Sequence, residues 1–107
     1  MRITMLAAAV LMCCASAVHG QEVVDQSGAS LPPELLQAVA QALSSIVKDP
    51  SSLQLRKLSR FTPPGADYQA VCGELNAKNG FGGYVGFQAF QFLPPSGAVN
   101  FIRECPG

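Results

Sequence analysis

The stretch Val71–Phe92, VCGELNAKNGFGGYVGFQAFQF, constrains this chain more than any other. It holds four of the six phenylalanines, five of the ten glycines and a cysteine. It reads as two strands around a glycine-rich turn. Asn79-Gly80 is the strongest short hairpin signal, because both residues tolerate the positive φ of a type I′ turn. Gly82-Gly83 extends the permissive backbone, so the alternative is a wider loop from Lys78 to Gly83. Tyr68–Ala77 leads into the turn as one strand, and Tyr84–Leu93 leaves it as another. The faces of the second strand are Val85, Phe87, Ala89 and Gln91 against Tyr84, Gly86, Gln88, Phe90 and Phe92. Neither is wholly polar, which predicts a central strand covered on both sides or a partly exposed aromatic patch.

Cover for such a hairpin comes from the preceding segment. Leu31–Asp49 carries Leu35, Leu36, Val39, Leu43, Ile46 and Val47 at helical spacing, forming one apolar stripe. Ser30 is placed to cap this helix, and Pro32 and Pro33 suit its first turn. Glu34 favours the positive end of the helix dipole and Lys48 the negative end. Asp49-Pro50 stops it, since a residue before proline avoids the α region. Leu53–Phe61 alternates as a strand with a bend near Leu58. Thr62–Asp67 is a loop, Pro94–Gly97 a turn and Ala98–Cys105 a last strand. The predicted fold is α+β: one N-terminal amphipathic helix packed on a mostly antiparallel sheet of about four strands.

Of the 107 residues, 1–20 read as a signal peptide. Arg2 supplies the positive start, and Ile3–Ala15 is an apolar run of about a dozen residues, too short to span a bilayer. Cleavage is expected after Gly20, with Ala17 as the alternative. Cys13 and Cys14 raise a lipoprotein reading, which the bulky Leu11 and Met12 before them disfavour. Residues 21–30 read as a flexible lead, with a short edge strand as the alternative, and 31–107 as a single small domain.

Without the first twenty residues, six lysines and arginines face seven acids, a net charge near −1. Such a chain offers no electrostatic case for nucleic acid or an anionic membrane. Arg56, Lys57 and Arg60, its one basic cluster, read as a solvated strand face. Two of the four cysteines remain, Cys72 and Cys105. An even pair in an exported chain is expected to bridge. Closing that loop would stabilise a small domain by about 3–4 kcal/mol on the chain-entropy model.

Two segments carry a resemblance. Lys48-Asp49-Pro50-Ser51-Ser52-Leu53, with Arg56 beyond it, resembles a DPxS segment following a helix. Cys72-Gly73-Glu74-Leu75-Asn76-Ala77-Lys78-Asn79, then Gly82-Gly83-Tyr84-Val85-Gly86-Phe87, resembles a CGxxNAKNxxGGYxGF segment. The pair is similar to a family of small exported bacterial proteins of unknown function, over residues 47–90. The resemblance implies a Gram-negative envelope or secreted location and carries over no catalytic residue.

Most site chemistries fail on residue supply. The one histidine, His19, lies in the signal segment. That removes Ser-His-Asp and Cys-His arrangements and most zinc sites from the mature chain. No C-x-x-C supports a redox role. Gly80–Gly86 lacks the third glycine of G-x-G-x-x-G at position 85, and no helix pattern follows it. Ser45-Ile46-Val47-Lys48 spells S-x-x-K without the partner motifs of acylating enzymes. Asp67, Glu74 and Glu104 show no spacing that demands acid–base pairing. Glu74 and Lys78 read as a surface ion pair across the turn. Asn76, Lys78 and Asn79 are the most suggestive polar set. They either fasten the turn by bonding local backbone or form a recognition surface with Phe81, Tyr84 and Phe87.

The expectation is therefore a non-catalytic, cofactor-free and metal-free binding or accessory domain of the envelope, periplasmic or secreted. Its partner would be an envelope protein or small ligand, not nucleic acid, and it would keep no membrane span after signal removal. An inhibitor of a secreted or periplasmic hydrolase is the alternative, using Lys78–Gly83 as its protruding loop.

Overall fold

The structure, a computed structural model, describes residues 22–106. The expected signal peptide, its cleavage positions, Cys13, Cys14 and His19 lie outside the described residues. Five strands and one helix follow in the order β1 (Glu22–Val23), α1 (Pro33–Ser44), β2 (Gln54–Phe61), β3 (Ala70–Asn76), β4 (Gln88–Leu93) and β5 (Ala98–Phe101). The sheet runs in sequence order, β1 to β5. The first pair is parallel and the other three are antiparallel.

The α+β class and the mostly antiparallel sheet match the expectation, and two details are corrected. The described residues form five strands, and the helix is not N-terminal, because β1 precedes it. A parallel neighbour requires a crossover rather than a tight turn, and α1 with its flanking turns is that crossover. Glu22 N–H donates to the Leu53 carbonyl at 3.0 Å and Val24 N–H to Leu55 at 2.8 Å. Residues 22–30 thus take the edge-strand form of the lead, followed by a 3-10 turn at Ser27–Ser30.

The lead also repairs a fault in β2. Between Arg56 and Ser59 the β2–β3 register shifts, and Lys57 takes φ 56°, the one positive φ outside glycine among the described residues. A bulge leaves ladder groups unpaired. Here Asp25 Oδ2 accepts the Lys57 N–H at 2.9 Å, and Ser27 Oγ accepts the Leu58 N–H at 2.8 Å. Ser30, expected to cap the helix, instead donates to the Ser27 and Leu58 carbonyls. The helix begins from Pro32 with no side-chain cap.

The helix ends at Ser44, short of the expected Asp49. Ser44 Oγ donates to the Ala40 carbonyl and Ser45 Oγ to Ala42, each at 2.7 Å. Such side-chain bonds compete with helix continuation, and Ile46 N–H turns back to the Leu43 carbonyl in 3-10 fashion. Lys48 therefore lies past the helix, and Ile46 of the predicted stripe is half exposed. A second 3-10 turn, Pro50–Ser52, leads into β2.

The core lies between α1 and one sheet face. Val39 and Leu43 pack with Leu53, Leu55, Leu58, Val71, Leu75, Phe90 and Phe92. In the antiparallel register Gly73 faces Phe90 and Val71 faces Phe92. Paired residues share a face, so the phenylalanines of β4 point at the helix. A Cβ on Gly73 would lie 2.7 Å from a Leu58 methyl and 3.2 Å from the Phe90 ring. Glycine there leaves room for Leu58 and the Phe90 ring to approach the β3 backbone.

On the opposite sheet face are Ala70, Cys72 and Ala89, all buried. Ile102 N–H extends the β4–β5 ladder to the Ala89 carbonyl. The chain then returns beneath β4 to join Cys105 to Cys72, with Cα atoms 5.8 Å apart. The disulfide thus fastens the C-terminal segment over the side of the sheet that α1 leaves open. The expected strand to Cys105 ends at Phe101, because this return requires the chain to leave the sheet edge. No helix among the described residues is long and apolar enough to cross a membrane.

Candidate functional site

Beyond β3 the chain does not turn at Asn79-Gly80. An isolated bridge between Lys78 and Tyr84 closes a wider loop over 79–83, as the alternative reading had it. Positive φ falls on Gly82 (84°) and Gly86 (105°), not on Asn79 or Gly80. Gly86 breaks the extended run, so the strand expected from Tyr84 starts only at Gln88. Residues 84–87 remain outside β4.

The loop is fastened from several sides. Asn79 Oδ1 accepts the Phe81 N–H at 2.8 Å and the Gly83 N–H at 3.3 Å. Asn79 N–H donates to the Gly83 carbonyl at 2.8 Å, and Gly82 N–H to the Asn79 carbonyl at 3.1 Å. Asn76 is buried, and its Oδ1 accepts the Gly86 N–H at 2.9 Å. Both asparagines thus serve the local backbone, the fastening role weighed against recognition in the sequence.

Ser52 ties this loop to the segment after the helix. Its hydroxyl donates to the Asp49 carbonyl at 2.7 Å and accepts the Lys78 N–H at 2.8 Å. Its carbonyl accepts the Tyr84 hydroxyl at 2.9 Å. The two motif segments are therefore parts of one hydrogen-bonded unit. Sequence reasoning missed Ser52; its one signal was the place of Ser51-Ser52 in the first motif.

Phe87 lies elsewhere. Its ring is half buried, with the Arg56 guanidinium carbon 3.8 Å from its centroid. Arg56 Nε also donates to Glu74 Oε1 at 2.6 Å, and Lys57 Nζ lies 4.0 Å from Glu74 Oε2. The expected Glu74–Lys78 pair is absent. Arg56 sits directly opposite Glu74 in the β2–β3 register, whereas Lys78 lies past the strand end, its Nζ 5.7 Å from the Tyr84 ring centroid. Arg56 of the basic cluster is thus paired closely with Glu74, Lys57 reaches the same carboxylate only at 4.0 Å from an exposed position, and Arg60 faces solvent.

What the loop leaves outside is apolar. Phe81 is 96% exposed at its tip, Val85 68% and Tyr84 44%. Of the six predicted surface residues, Phe81 is the one presented whole; Asn76, Asn79 and Tyr84 hold the loop, Lys78 is half buried at its base, and Phe87 covers Arg56. Val85 was not predicted, and its signal was its place between Tyr84 and Gly86 in a run too apolar for a solvent loop.

Among the described residues no three His, Cys, Asp or Glu side chains gather into a cluster that could hold a metal ion. Comparison of the chain with protein-family models, with curated proteins and with solved structures finds no match.

Proposed function

We propose that this protein is a non-catalytic binding or accessory domain of the bacterial envelope, periplasmic or secreted, that engages a protein partner through the 79–86 loop. The observation behind this reading is the exposure of Phe81 on a loop whose backbone is hydrogen-bonded in place. An unheld glycine-rich loop would lose conformational entropy on binding; this one has already been ordered by folding. A large aromatic side chain held in water gains by entering a partner's pocket. The export reading rests on the sequence of residues 1–20 and on a disulfide, which persists in oxidising compartments. The resemblance to small exported bacterial proteins accords with it.

Phe81→Ala and Val85→Ala variants with unchanged thermal stability should lose capture of the partner from periplasmic extract. Undiminished capture by both would reject the loop as the contact. The same protruding loop suits an inhibitor of an envelope hydrolase, and a partner with hydrolase activity that falls on binding would favour that form.

A further inference from the structure

The early end of α1 leaves part of the sheet's inner face without cover. There a groove of about 230 Å³ opens between the segment after the helix and the base of the loop. Its apolar floor and walls are Val47, Leu75, Ala77, Val85 and Phe101. Lys48 enters from the helix side and Lys78 from the loop side. No Asp or Glu lines it. The two ion pairs among the described residues both use Glu74, so neither lysine has a carboxylate partner there.

We propose that this groove binds a short, single-chain apolar carboxylate, its chain on Val47, Leu75 and Phe101 and its carboxylate between Lys48 and Lys78. The volume is below the roughly 300–1,000 Å³ of pockets that take drug-sized ligands, which sets the ligand small. The mainly aliphatic walls suit a flexible alkyl chain. Two ammonium groups without a carboxylate partner, Lys78 resting 5.7 Å from the Tyr84 ring centroid, select one negative charge, through charge-assisted hydrogen bonds. Val85 is shared with the partner contact proposed for the loop, whereas Phe81 is not among the lining residues, so substitution of Phe81 separates the two sites.

Sodium octanoate titrated into isotope-labelled, disulfide-bonded protein at neutral pH tests it through amide chemical shifts. Saturable shifts are expected at residues 47–48, 77–79, 85–88 and 101. Lys48→Gln combined with Lys78→Gln should weaken octanoate at least tenfold, about 1.4 kcal/mol. Octanol, the neutral analogue, should bind the unaltered protein more weakly than octanoate does. Phe81→Ala should bind octanoate unchanged, which separates this site from the loop contact. Unperturbed shifts far from the groove verify the fold of each variant, and the single lysine variants replace the double one if it unfolds. Absence of saturable shifts, equal affinity for octanol and octanoate, or indifference to the lysine substitutions would each overturn the assignment. So would tighter binding of a short peptide ending in a leucine carboxylate.

Discussion

The Tyr84 hydroxyl donates to the Ser52 carbonyl across 2.9 Å, joining the loop after β3 to the turn before β2. The Ser52 hydroxyl holds the other arm of the same loop through the Lys78 N–H. One buried serine thus anchors both ends of the segment that displays Phe81.

Ser52→Ala should destabilise the domain by about 1–3 kcal/mol, since it leaves a half-buried Lys78 N–H without its acceptor. Tyr84→Phe removes one bond of a partly exposed side chain and should cost about 0.5–1.5 kcal/mol. Denaturant midpoints measure both, and amide exchange at Lys78 should accelerate in Ser52→Ala ahead of global unfolding. Equal exchange in the two proteins would remove Ser52 as the anchor.

Gly73→Ala adds a methyl group where Leu58 and Phe90 already meet the backbone of β3. Overpacking of this kind costs about 1–3 kcal/mol. A paired Leu58→Val change should recover part of the loss, because it withdraws the nearest methyl. Additive losses in the pair would show that contact with Leu58 is not the cause.

The disulfide should contribute about 3–4 kcal/mol through the 33-residue separation it closes. Mass spectrometry should find the oxidised chain about 2 Da lighter than the reduced one, the loss of two thiol hydrogens. Reduction should free the segment after Phe101 and raise amide exchange at Ala70, Cys72 and Ala89 on the face it covers.

The Asp25 carboxyl is held below the ordinary carboxylate range, first by the Ser27 hydroxyl, then by the Lys57 N–H and the Ser27 N–H. A carboxyl depressed by folding stabilises the native state above its unfolded pKa. That contribution is lost as pH falls from there through the lower native value. Asp25→Asn should flatten this part of the acid stability profile and loosen the Lys57 bulge. An acid limb identical in wild type and variant would assign the loss to other carboxyls.

The helix stripe, the strand pair around the glycines and the cysteine pairing were legible because each is written in local spacing or in residue type. The helix end was not, because the hydroxyls of Ser44 and Ser45 could equally have faced solvent. β1 was legible only as the alternative edge strand, because its two residues become a strand only beside Leu53 and Leu55. The bend near Leu58 was legible, but the positive φ at Lys57 bears no glycine to announce it, and Asp25 and Ser27, the residues that satisfy the bulge, lie some thirty positions earlier. At the site, the asparagines were legible as turn fasteners by their chemistry. The choice of Phe81 over Tyr84 and Phe87 was not, since all three are aromatic residues of one short stretch. What separates them are the distant partners Ser52 and Arg56, which hold two and leave one in water.

Site-specific photocrosslinking from position 81 tests the loop as a contact surface most directly. A Phe81→benzoylphenylalanine variant, irradiated in the intact envelope, is predicted to give one discrete adduct with a partner protein. The same probe at Arg60, on the exposed part of β2, should give none, and Tyr84→Phe in the probe-bearing chain should reduce the yield. An equal adduct pattern from positions 60 and 81, or none from position 81, would contradict the loop as the partner-binding surface.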